Sequence, residues 1–160
     1  MRALALDVGE KRIGLAVGDT DMVLAMPAGV IHRRGSPQDF QDVLVEAVSR
    51  QADVLVVGMP LSLDGSVGPQ ARVVLDFVAT LGKFTEVPIE TWDERFSSME
   101  ADRRLMATRK GGRARGRTPA KGVQDAVAAS VMLQAYLDAK HTKAPPSSGL
   151  SVNEVEPGAR

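Results

Sequence analysis

The chain has 160 residues, 44% hydrophobic and 25% charged, with a formal net charge of zero and no cysteine. This is enough chain for one domain with a buried core, and the missing thiols exclude disulfides, thiolate metal sites and cysteine nucleophiles while fitting a reducing cytoplasm. No apolar run approaches the roughly 20 residues of a membrane span, and the chain opens directly on a strand pattern, so neither a membrane partner nor a signal peptide is expected.

Residues 2–8 (RALALDV) read as a buried strand ending on an Asp, residues 12–18 as a second strand, and Gly9-Glu10-Lys11 as the hairpin turn between them. A third strand is expected over 23–32, with Pro27 confining it to an edge or a bulge. Ser36-Pro37 reads as a helix start, Ser at the N-cap and Pro at the first helical position, with Phe40, Val43, Leu44, Ala47 and Val48 facing inward. The nearly continuous apolar run at 54–58 predicts a strand buried on both faces. A helix over about 68–82 follows, with Val74, Leu75, Val78 and Leu81 inward, and then a fifth strand over 87–93 (VPIETWD).

Ser97 to Glu100 is a capping box, predicting a helix to about residue 107. Residues 109–117 read as a flexible Gly/Arg loop, and Thr118-Pro119 restarts the chain as a long helix to about 139. Residues 141–160, with Pro145-Pro146-Ser147-Ser148-Gly149, read as a disordered tail behind a domain of residues 1–140. The order predicts an α/β fold: a mixed five-stranded sheet, its first three strands antiparallel and the later ones parallel, covered by helices.

The zero net charge hides an asymmetry. Between Arg103 and Lys121 there are eight basic residues and no acid, which leaves the rest of the chain acidic. Such a block repels itself unless a polyanion or solvent neutralises it. Arg109, Lys110, Arg113, Arg115, Arg117 and Lys121 are therefore candidates for nucleic-acid phosphates, joined by Lys11, Arg12 and Arg95 from elsewhere in the chain. With aromatic residues at only 4%, base stacking is not expected to dominate binding.

Three acids occupy unusual places. Asp7 ends a strand of apolar neighbours, where a carboxylate is partly desolvated and needs a partner. Asp125 lies in a helix otherwise made for packing, with Ala128 and Ala129 as its same-face neighbours; the alternative is a place on that helix's polar stripe. At the end of the fifth strand either Asp93 or Glu94 can face a shared site, since adjacent residues point to opposite faces. Open α/β sheets bind ligands at strand carboxyl ends, so these acids make sense as a group. Clustered carboxylates repel, and hard oxygen-seeking cations such as Mg²⁺ or Mn²⁺ relieve the repulsion. Neither His32 nor His141 falls at a shared position, which argues against zinc.

Four ordered motifs add to this reading: residues 4–17 (LALDVGEKRIGLAV), 57–66 (VGMPLSLDGS), 93–97 (DERFS) and 121–129 (KGVQDAVAA). Together they resemble the YqgF/RuvX family over about residues 2–138. The resemblance implies an RNase H-like nuclease related to Holliday junction resolvases, whose members are described as resolvases and as nucleases maturing the 5′ end of 16S rRNA. Carried over by position, the family's catalytic, metal-holding acids fall on Asp7, Glu94 and Asp125. In the wider superfamily the second acid ends the fourth strand, where this chain has Gly58-Met59-Pro60, so Glu94 takes that role. The implied chemistry is phosphodiester hydrolysis with two divalent ions. The implied partner is branched DNA or precursor rRNA, with a homodimer expected if two symmetric strands are cut. Two rivals remain: a sugar-kinase or actin-like ATPase, for which 160 residues leave no second lobe, and a non-catalytic nucleic-acid-binding module, which a cleavage assay with Mn²⁺ separates.

Overall fold

In a computed structural model, which describes residues 1–95 and 121–143, eight elements are seen. They are β1 (Arg2–Val8), β2 (Arg12–Asp19), β3 (Leu24–His32), α1 (Gln38–Ser49), β4 (Val54–Met59), α2 (Pro69–Leu81), β5 (Ile89–Asp93) and α3 (Lys121–Lys143). The sheet order is β3-β2-β1-β4-β5. β1–β2 and β2–β3 pair antiparallel, β1–β4 and β4–β5 parallel, giving the expected mixed sheet. β3 is the edge strand that Pro27 requires, and its ladder with β2 slips at Leu15/Ala16.

The period of two along the strands divides the core. Leu4, Leu6, Val8, Ile13, Leu15, Leu55 and Val57 point to one side, where Phe40, Val43 and Ala47 of α1 and Ala71, Val74, Phe77 and Leu81 of α2 cover them. The other side carries Ala3, Ala5, Ala16, Val54 and Val56, and α3 lies on it through Ala129, Met132, Leu133, Tyr136 and Leu137. Each of the four large side chains in that set contributes about 1.5–3 kcal/mol over leaving it in water. Small residues on the strands let the helix come close.

Three local expectations are corrected. Val48 is 78% exposed, because it sits about 100° round the helix from Ala47 and off the Phe40/Val43/Ala47 stripe. Ser36 does not cap α1: Pro37 holds the N-cap position with no side-chain cap. The turn is organised instead by Asp39, 1% exposed, whose carboxylate accepts the backbone N–H groups of Arg34 (2.7 Å) and Gly35 (3.2 Å). On α3, Ala128 faces solvent while Ala126 and Ala129 are buried, so Asp125 lies at the margin of the buried stripe. That helix also runs to Lys143, about one turn past its expected end. Residues 141–143, expected in the tail, are thus helical, and the capping box at 97–100, the basic loop at 109–117 and residues 144–160 of the expected tail lie outside the described residues.

Candidate metal centre and nucleic-acid interface

Register brings the acids together. Asp7 pairs with Gly14 across β1–β2. On its other side the parallel ladder runs Leu6↔Val57, so the next residue of β4, Gly58, lies beside Asp7. Asp7 thus continues the Ala3-Ala5 row on the face that α3 covers, between two glycines. Each of those glycines makes room for another acid. A Cβ at Gly14 would overlap the Asp125 carbonyl, so α3 rests its backbone directly on β2 there. A Cβ at Gly58 would overlap Glu94 Oε1 and press on Met132 Sδ at 2.7 Å, so the Glu94 side chain crosses β4 toward Asp7. The Glu94 backbone N–H donates to the Met59 carbonyl at 3.1 Å, fixing it at the carboxyl end of β4 although it follows β5. The two missing methyl groups are the reason three acids from three elements can approach one another.

Their electrostatics follow. Burial pushes the Asp7 carboxyl up to about 6, and the nearby charge of Asp125 adds to the rise. Burial likewise pushes Glu94 up to about 7, with Asp7 and then Asp93 as the like charges. Asp7 is therefore the middle member, coupled to both others. Among the described residues nothing hydrogen-bonds its carboxylate, and no group of three or more His, Cys, Asp or Glu side chains stands close enough to hold a metal ion as the side chains lie here. Asp125 is turned onto Arg12, whose Nε donates to Oδ2 at 2.7 Å.

Asp93 and Glu94 are held differently. Asp93 is gripped by Arg95, which donates from Nε to both carboxylate oxygens (3.0 and 2.9 Å), from Nη2 and from its backbone N–H, and which holds Asp93 well below the usual aspartate range. Asp93 thus faces its own arginine. Arg95 in turn donates Nη1 to the Leu63 carbonyl at 3.3 Å and braces the loop around Gly65, so it is committed within the protein, where a phosphate contact was expected of it.

Lys11 and Arg12 border a cleft of about 350 Å³ lined also by Gly9, Glu10, Gln70 and, of the three acids, Asp125. Lys121, exposed at the start of α3, lies one helical turn before Asp125. Arg109, Lys110, Arg113, Arg115 and Arg117 lie outside the described residues. A larger groove of about 410 Å³ sits at the opposite end of β1, between Arg2, Met22, Leu24 and Arg50, away from the acid row.

Sequence reasoning missed the support beneath this cleft. Arg33 holds the β1–β2 turn twice, its backbone N–H on the Lys11 carbonyl (2.9 Å) and its Nη1 on the Gly9 carbonyl (2.9 Å). Its Nε is paired with buried Asp39 at 3.0 Å, and its guanidinium lies 5.4 Å over the Phe77 ring. Gly14 was also missed, although Gly14-Ala16-Gly18 alternate small residues as Ala3-Ala5-Asp7 do, a period-two signal for a close-packed helix.

The sequence profile of the RuvX family, described as "Holliday junction resolvase", matches residues 1–139. The chain belongs to the RuvX family. Among curated RuvX-like relatives, the "Putative pre-16S rRNA nuclease" of Halothermothrix orenii is 38% identical over 138 residues, covering 86% of this chain and 95% of that protein. A relative of the same name in Anaeromyxobacter dehalogenans is 41% identical over 138 residues, covering 86% and 97%. Among solved structures, Thermus thermophilus RuvC in complex with a Holliday junction substrate superposes with a TM-score of 0.55 at 14% identity, over 88% of this chain and 96% of that one. The Fowlpox virus resolvase bound to Holliday junction DNA gives 0.53 at 11% identity, over 88% and 99%. At such identities the likeness is one of fold, and the fold of this RuvX member is RNase H-like, as the sequence motifs imply.

Proposed function

We propose that this RuvX member is a divalent-metal-dependent nuclease that hydrolyses phosphodiester bonds in structured nucleic acid, with residues 1–140 as the working domain and residues 141–160 as its tail. The observation that supports this reading is that Gly14 and Gly58, the residues flanking Asp7 at the carboxyl ends of β1 and β4, meet the Asp125 backbone and the Glu94 carboxylate respectively. The donor set suits Mg²⁺ or Mn²⁺: all are hard carboxylate oxygens, two of them raised by burial and mutual repulsion. Asp7, Glu94 and Asp125 would together hold two such ions. Such ions supply Lewis-acid stabilisation of the phosphate and activation of a water.

The chain's own residues supply the rest. Asp7, Glu94 and Asp125 fix where the scissile phosphate must sit, and no side chain need act as the attacking group. Lys11, Arg12 and Lys121 place positive charge beside that point, and the basic residues 109–117 extend it for binding the backbone without reading sequence. Arg95 acts from within, by turning Asp93 away and leaving Glu94 to the site.

The name of the relatives near 40% identity, pre-16S rRNA nuclease, favours precursor 16S rRNA as the substrate; maturation of its 5′ end in the cytoplasm is the role that fits the sequence motifs. The family description favours cutting of four-way DNA junctions, for which a homodimer is expected. Parallel cleavage assays on precursor 16S rRNA, junction DNA and single-stranded DNA, with Mg²⁺ or Mn²⁺ and an Asp125→Asn control, separate the two. Metal-dependent cleavage of one substrate, absent in the control, is expected. Binding without cleavage of any of them supports a non-catalytic module instead.

A further inference from the structure

Arg12 lies beside both Asp125 and the cleft; like Arg33 on Asp39 and Arg50 on Glu46 it holds its carboxylate by one Nε bond, but those two also place an Nη group on a backbone carbonyl. Arg95 closes on Asp93 through Nε to both oxygens and through Nη2, and Arg34 reaches both oxygens of Asp42. Arg12 holds Asp125 by a single bond, Nε to Oδ2 at 2.7 Å. Among the described residues its two Nη groups have no protein partner, and they belong to a side chain that lines the cleft. Both partners of the pair keep access to solvent, 26% exposed for Arg12 and 31% for Asp125. Guanidinium is the group best matched to phosphate, through two parallel N–H donors, and here two Nη groups stand ready beside the acids. Arg33 meanwhile fixes the preceding turn from beneath, so Arg12 is displayed from a braced hairpin.

We propose that Arg12 is an exchangeable counter-ion of the acid row: it neutralises Asp125 while no divalent ion is bound, and it releases Asp125 to the ion while its guanidinium takes a phosphate of the nucleic-acid backbone. The inference rests on the reading of Asp7, Glu94 and Asp125 as metal-holding acids. It adds a coupling between the two bindings. A phosphate that draws Arg12 away leaves Asp125 free for the ion, and by linkage the ion favours the phosphate to the same degree. Substrate and metal then enter together, and Asp125 is not left unpaired in the metal-free protein.

The test is calorimetric titration of Mn²⁺ into the metal-free, full-length chain without nucleic acid, for the wild type, Arg12→Gln, Arg12→Lys and Asp7→Asn. Removing the competitor should tighten Mn²⁺ binding by about fivefold in Arg12→Gln, the ratio expected for an ion pair at the upper end of the solvent-accessible range. Arg12→Lys, which keeps the charge, should fall between Arg12→Gln and the wild type. In the wild type, the Arg12 Nε–H proton resonance should also move as Mg²⁺ is added, reporting release from Asp125, and it decides alone should Arg12→Gln not fold. Mn²⁺ affinity unchanged or weakened in Arg12→Gln, or an Nε–H resonance indifferent to Mg²⁺, overturns the exchange while leaving the metal site standing. Absence of Mn²⁺ binding in the wild type, or binding that Asp7→Asn leaves intact, overturns the metal-site reading and the exchange with it.

Discussion

Replacing Asp7 by Asn should stabilise the metal-free protein while it removes activity, and the gain should depend on pH. The Asp7 carboxyl rises from 3.8 to about 6 on folding, chiefly through burial and then through Asp125. Because the folded state holds this proton more tightly, stability falls as pH rises from about 4 through about 6, and the cost is complete above that window. A difference of about two units corresponds to about 3 kcal/mol. Solvent reaches part of the side chain, so about 1–3 kcal/mol is the expected range. Asn is nearly isosteric, carries no charge and also relieves Glu94 of one repelling neighbour. The assay is urea unfolding in chelator at pH 4 and at pH 8, wild type against Asp7→Asn. At pH 8 the variant should be more stable by the stated amount, or roughly 2–4 °C in Tm per kcal/mol. At pH 4, where the wild-type carboxyl carries little of this cost, the two should nearly coincide. Added Mg²⁺ should stabilise the wild type alone. A variant less stable than wild type at pH 8, or equally favoured at both pH values, would refute the reasoning.

Other outcomes follow from the packing around the acids. Gly14→Ala forces a methyl group against the Asp125 carbonyl and lifts α3 from β2, so a destabilisation of about 1–3 kcal/mol in urea unfolding is expected, together with failure of metal-dependent cleavage. Asp39→Asn leaves the Arg33 guanidinium without its buried partner and loosens the β1–β2 turn; a destabilisation on the order of 3 kcal/mol is expected, read by thermal unfolding. Substituting Gln for Arg113, Arg115 and Arg117 should flatten the log–log salt dependence of duplex DNA binding by about 0.9 for each phosphate that is no longer neutralised, read by titration between roughly 50 and 200 mM salt.

The strand pattern is legible in the sequence because period-two alternation and turn residues carry it locally: β1, β2 and β4 fall within a residue of where the sequence places them. Asp7 is legible for the same reason, as a charge at the end of an apolar strand. The different settings of Asp93 and Glu94 are not, since both sit at one strand terminus and the contact that separates them is the fork of Arg95 on Asp93. Arg12 and Asp125 are 113 residues apart, so no local pattern announces their pairing. The cap at α1 misleads because Ser36-Pro37 satisfies the usual signature, whereas a carboxylate three residues on from Ser36, buried against Arg33, captures the backbone donors. Ala128 misleads because a helix carrying many alanines has little contrast between its faces; the larger residues from Met132 onward set the buried stripe.

The most direct measurement is a crystal structure of the full chain grown with Mn²⁺, with diffraction recorded at the manganese absorption edge. Anomalous density should lie between the carboxylates of Asp7, Glu94 and Asp125, with Asp125 detached from Arg12. Manganese bound elsewhere, or a manganese-loaded crystal in which those three carboxylates touch no ion, would contradict the assignment of the acid row as the metal centre.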